Sequence, residues 1–191
     1  MEYNDEKIRQ MKRAARQRQA VDLSAPIIVG EETYNFKRTR LFENKVSTLL
    51  PTEFVDMPTD IAKLKYPMEQ RPQVIKTNLA TDVNFAFSLL PQSIKNEEVS
   101  EAVVSFRKLI KRMQPGNRFF DQKIEQAGDL TLGWFDFRSP GIDDQLYTMM
   151  AVAGIDNMLF YSIFNCAYSV MQDWKSVARE VFKSVEDETK K

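Results

Sequence analysis

The spacing of apolar residues changes several times along the chain, and the changes divide it into elements. Residues 4–21 carry Ile8, Met11 and Ala15 as a thin stripe among Lys7, Arg9, Lys12, Arg13, Arg16 and Arg18, a pattern that predicts a basic helix with little to bury. Residues 1–25 therefore read as a basic N-terminal helical extension, and residues 26–191 as a single α+β domain. After Pro26, short extended runs predict strands near 33–40 and 45–49. The stretch from Pro51 to Pro72 also contains Pro58 and Pro67, which favours an irregular crossing with one short helix around Asp60 to Leu64. The strand pattern resumes in "QVIKTNLA" and "VNFAFSLLP".

From Glu97 to Met113 the period becomes helical: Val99, Ala102, Val103, Phe106, Leu109, Ile110 and Met113 share one face. Acidic residues lie in its first half and basic ones in its second, the order that suits the helix dipole, and Pro115-Gly116 ends it. Four strands are predicted next, near 118–126, 130–138, 145–153 and 157–166, joined by the turn sequences "AGD", "SPGIDD" and "AGIDN". The third and fourth are apolar on both faces, so both faces need a cover. A final helix from Ser169 to Asp187, with Val170, Trp174, Val177, Ala178, Val181 and Val185 on one side, supplies one cover. The economical solution is a mainly antiparallel sheet in a layered α/β/α sandwich. Should the two helices lie on the same face instead, rings of "GWFDF" or "LFYSIF" would stay open as a groove for a partner helix or a face for homo-oligomerisation.

The order of elements from Phe42 to Val185 resembles the PsbP-like superfamily, which includes the PsbP subunit of photosystem II, the Mog import factor and DcrB-type proteins. The features that carry it are a strand ending in "LLPTEFVDM", a proline-containing crossing, the helix at 97–113, the meander through "GWFDFRS" and "LFYSIFNC", and the closing "WKSVAREVFKSV" helix. The resemblance implies a non-enzymatic protein that holds partners, one bacterial branch cradling apolar helices of secreted toxins against a concave sheet. The basic N-terminal helix and the want of an export signal depart from many members.

Charge and chemistry narrow the choice further. Lysine plus arginine equals aspartate plus glutamate at 27 each, so no net field attracts nucleic acid or an anionic membrane. The chain has no histidine, which removes imidazole bases, nucleophile–histidine pairs and imidazole metal sites. Its one cysteine, Cys166, sits between aromatic residues in a strand-like run and reads as a core thiol. The polar start of the chain and the absence of an apolar run of membrane-spanning length point to the cytoplasm. Catalysis would have to rest on carboxylates, and Asp136, Asp143, Asp144 and Asp156 are the candidates; the last three fall in turns, where aspartate has local work to do.

The expected function is thus a non-catalytic protein-binding module, an adaptor or chaperone for a secreted or membrane-inserting protein, with no cofactor and no metal. A carboxylate-dependent hydrolase and a structural subunit of a larger assembly are the alternatives. Two places are candidates for partner contact. Trp134, Phe135 and Phe137 put rings on both sides of one strand. In "KYPMEQRPQVI", Tyr66 and Arg71 are residue types that interfaces favour, held by two prolines.

Overall fold

The meander expected from the alternating pattern is the centre of the molecule. In the computed structural model, which describes residues 21–141 and 144–190, strands β8 (Arg118–Ala127), β9 (Leu130–Ser139), β10 (Leu146–Ile155) and β11 (Met158–Ala167) pair antiparallel in sequence order. β7 (Asn84–Leu90), β6 (Val74–Thr77) and the two-residue β5 (Val55–Asp56) extend the sheet beyond β11, giving the order β5-β6-β7-β11-β10-β9-β8. A hairpin of β1 (Ile27–Val29) and β2 (Glu32–Tyr34) and a three-stranded sheet of β12 (Glu186–Asp187), β4 (Val46–Pro51) and β3 (Phe36–Leu41) lie outside it. The expected basic helix falls, apart from Val21, outside the described residues. Leu23 is buried in the core and Val21 packs against it half-buried.

Every side chain of β10 from Tyr147 to Ala153 is buried, which sets the need for two covers. Among the described residues there are three α-helices, α1 (Thr59–Lys65), α2 (Val99–Met113) and α3 (Met171–Lys183). Helix α2 packs over β9 and β10, its Val99 and Val103 meeting Phe135, Phe137, Met150 and Val152. Helix α3 lies on the opposite face, with Trp174, Val177, Val181 and Phe182 against Phe85, Tyr147, Met149 and Phe164. The small sheet shares that side, since β4 contacts α3 and its Leu50 joins the same core.

The last helix ends at Lys183 rather than at 187, and Ser184 explains the stop. Its hydroxyl accepts the Leu49 N–H at 2.8 Å and lies 3.0 Å from the Thr48 hydroxyl. The chain then turns into β12, which pairs with β4. Val185 is buried just beyond the helix, which is why its apolar character kept the helical period going in the sequence.

Close approach of α2 depends on Gly133 of β9. A Cβ at that position would lie 2.3 Å from Cγ2 of Val103 and 2.9 Å from Cδ1 of Ile124. Val103 is β-branched and has little rotamer freedom on a helix, so the clash cannot be relieved by the side chain alone. Gly133→Ala is expected to cost about 1–3 kcal/mol. Val103→Ala in the same chain should recover part of that loss, so urea melts of the two single variants and the double variant would give a non-additive cycle. Costs that simply add would show that α2 does not rest on Gly133.

Candidate functional site

Opposite placement of the helices decides the fate of the rings in the meander. Trp134, Phe135 and Phe137 are all buried, as are Tyr147, Phe160 and Phe164. Phe135 and Phe137 pack against the tilted ring of Phe119 beneath α2, and Trp134 faces α3. They are core residues, and the exposed aromatic platform expected of them does not form, because each face of the sheet has its own helix. Tyr66 and Arg71 also turn inward. The Tyr66 hydroxyl accepts Nδ2 of Asn165 at 3.1 Å, linking the loop after α1 to a buried chain of Asn165, Asn84 and Thr77, and burial raises the phenol. Arg71 is half-buried.

Two concave sites stand out among the described residues. The first runs beside α2. This helix covers β9 and β10 with Val99 and Val103, and the rest of its apolar stripe overhangs toward β11. Ala102 and Phe106 are half-buried, Leu109 is 42% exposed and Met113 59%. Between this overhang and the strand end at Leu159 lies a groove of about 390 Å³, floored by Ile94, Phe106 and Leu159. The charged groups in its lining, Glu98 and Glu101, are both acidic. Phe106 touches Tyr161 of β11 at 6.3 Å between ring centres, which closes the groove on its inner side.

The second site, of about 510 Å³, lies between α3 and β8 and is lined by groups of both signs. At its base Asp136, fully buried in β9, accepts the Tyr147 hydroxyl at 2.7 Å and the Asp121 N–H at 2.7 Å. Lys175 of α3 reaches in to pair with Asp136 at 2.7 Å and Asp121 at 2.6 Å. One turn further along α3, Arg179 forms a bidentate pair with Glu125, whose Oε2 also accepts the Trp134 indole N–H at 2.6 Å. These contacts satisfy the buried carboxylate from three directions, as a buried charge requires.

The acids singled out for catalysis do not converge. Asp136 is in this network, Asp144 accepts the Ser169 hydroxyl at 2.9 Å, Asp156 pairs with Lys45 at 3.6 Å, and Asp143 lies outside the described residues. Burial pushes the Cys166 thiol up to about 12, so it is a poor nucleophile where it stands. Among the described residues no group of three or more metal-binding side chains occurs, and no helix is long and apolar enough to cross a membrane.

No protein-family model and no curated sequence matches the chain. Solved structures do. Cyanobacterial PsbP from Synechocystis sp. PCC 6803 superposes with a TM-score of 0.58 at 13% identity, over 84% of this chain and 97% of that one. LpqN of Mycobacterium tuberculosis, described as involved in cell envelope biogenesis, gives 0.51 at 10% identity over 84% and 88%. A protein of Bacteroides thetaiotaomicron gives 0.52 at 12% identity, over 79% of this chain and 48% of that one.

The pair between α3 and β8 makes a pH prediction. The Arg179 guanidinium, helped by the Trp134 N–H and opposed by burial, holds the Glu125 carboxyl at about 2, against an ordinary value of 4.5. A carboxyl depressed in the folded state stabilises it fully above 4.5, and that contribution fades as pH falls through the interval down to about 2. The stability gap between the native chain and Glu125→Gln should therefore be constant near neutrality and shrink through that interval. Denaturant melts at stepped pH measure it, and a gap that widens on acidification would contradict the ion-pair account.

Proposed function

We propose that this PsbP-like fold serves as a non-catalytic protein-binding module, an adaptor or chaperone that takes an apolar helix of its partner into the groove beside α2. The observation that carries the reading is the overhang of α2, where Ala102, Phe106, Leu109 and Met113 continue an apolar face past the strands that cover it. Helices are the common occupants of such grooves, docking through residues spaced three and four apart, the spacing of these four positions. Glu98 and Glu101 at the rim favour a partner segment that carries lysine or arginine beside its apolar stripe. Helices from secreted or membrane-inserting proteins are apolar enough to need such cover before they reach their destination, which makes them the partner class proposed. The cytoplasm is the compartment proposed, since that is where such helices are made and need cover before they leave.

The placement of the acids supports the binding reading over hydrolysis. Asp136, Asp144 and Asp156 each serve a structural contact in a different part of the molecule.

A photo-crosslinking residue at position 109 should capture a partner through an apolar helical segment, identified by mass spectrometry of the crosslinked peptide. Leu109→Asp is expected to abolish capture by a crosslinker at position 102 without lowering the melting temperature, since Leu109 is already partly in water. Leu79→Asp, at a side chain 85% exposed elsewhere on the surface, should leave capture intact. Capture that survives Leu109→Asp, or that is lost equally with Leu79→Asp, would rule the groove out.

A further inference from the structure

The seven-stranded sheet ends very differently at its two edges. On one side it closes with β5, only two residues long; on the other it ends in β8, ten residues long. Among the described residues no strand lies beyond β8, so about 34 Å of backbone presents N–H and C=O groups outward. Such an edge is a template for another strand, and proteins that stay apart usually shorten, bend or cover it. Here the first half is bent, by the irregularity between Phe119 and Gln122, while Gln122 to Ala127 pairs with β9 in unbroken register. Lys175 and Arg179 grip Asp121 and Glu125 from the α3 side, which ties the edge strand to that helix.

We propose that β8 of one copy pairs antiparallel with β8 of a second copy, about a two-fold axis through Ile124, so that the two sheets become continuous. Hydrogen-bond geometry restricts the choice of axis. Alternate residues of an edge strand point their N–H and C=O groups outward, so two copies can pair only when outward residues face outward residues. That puts the axis through a residue and never between two. Within the regular stretch, an axis through Lys123 would set lysine against lysine and Asp121 against Glu125; an axis through Glu125 would set glutamate against glutamate. Like charges directly opposite one another destabilise a pair of strands.

An axis through Ile124 gives the complementary arrangement. Lys123 of each copy faces Glu125 of the other, Gln122 faces Gln126, and Ile124 faces itself. Ile124 is 42% exposed on the single chain, an apolar side chain between Lys123 and Glu125 in the regular half of the strand, and self-pairing is what would cover it. Glu125 already accepts Arg179 and Trp134, and a carboxylate has lone pairs enough for one ammonium more. Lys123 lies over the Trp134 ring at 6.0 Å, on the same side of the strand as Glu125, so the two cross-strand ion pairs form on the face that bears α3. This interface is separate from the groove beside α2 and stands or falls independently of it.

Sedimentation equilibrium of the full chain should show a dimer that dissociates on dilution. Ile124→Lys puts two ammonium groups face to face and should weaken the dimer about tenfold or more, with the far-ultraviolet spectrum and melting temperature of the dilute chain unchanged. Ile124→Cys should form a disulfide-linked dimer under mild oxidation, whereas Gln126→Cys, which faces Gln122, should not; the buried Cys166 contributes no background. A native chain that stays monomeric at high concentration, a dimer indifferent to Ile124→Lys, or equal crosslinking at positions 124 and 126 would each overturn the proposal.

Discussion

Burial on both faces of β10 is the constraint from which most of the structure follows. Seven consecutive residues, Tyr147 to Ala153, are buried. A strand of that kind cannot rest on one helix, as the half-exposed strands of many antiparallel sheets do. It requires one cover from the segment before the meander and another from the segment after it, and the chain supplies α2 and α3 in those two places. The small sheet then follows from α3, because Ser184 and β12 are bound to β4.

The two covers are not equivalent, and the difference decides where chemistry can occur. Helix α2 sinks onto Gly133 and is narrow for the surface it shields, so part of its own apolar stripe is left at the boundary with water. Helix α3 carries long cations on the flank that overlies β8, and these penetrate far enough to meet a carboxylate in the sheet itself. One side of the molecule therefore offers apolar surface without strong charge pairing, and the other offers charge already neutralised.

Legibility in the sequence followed the length of the signal. The strands of the meander and the helix from 97 to 113 were readable to within about two residues at their ends, because ten or more positions share one period. β1, β5 and β12 were not, since two or three residues carry no period at all. Tyr66 and Trp134 were singled out as rings suited to an interface, but the polar partner that satisfies each sits on another strand, Asn165 on β11 for one and Glu125 on β8 for the other, and only the pairing of the strands brings them together. The overhang of Phe106 and Leu109 was hidden for the opposite reason. Their apolar character looked like core throughout, and only the exposure left to Leu109 and Met113 in the folded chain shows where the cover ends.

The lateness of α3 in the chain has a consequence for synthesis. A growing polypeptide completes β11 at Ala167, and until residues 171–187 have emerged the face bearing Phe85, Phe160 and Phe164 has no helix to lie against it. Contacts between β4 and α3 span well over a hundred residues, so the amino-terminal third must wait in an unfinished state as well. A nascent chain of this protein therefore exposes a large aromatic surface at the ribosome, and a stalled or truncated product that lacks the closing helix is itself a client for the cell's folding machinery.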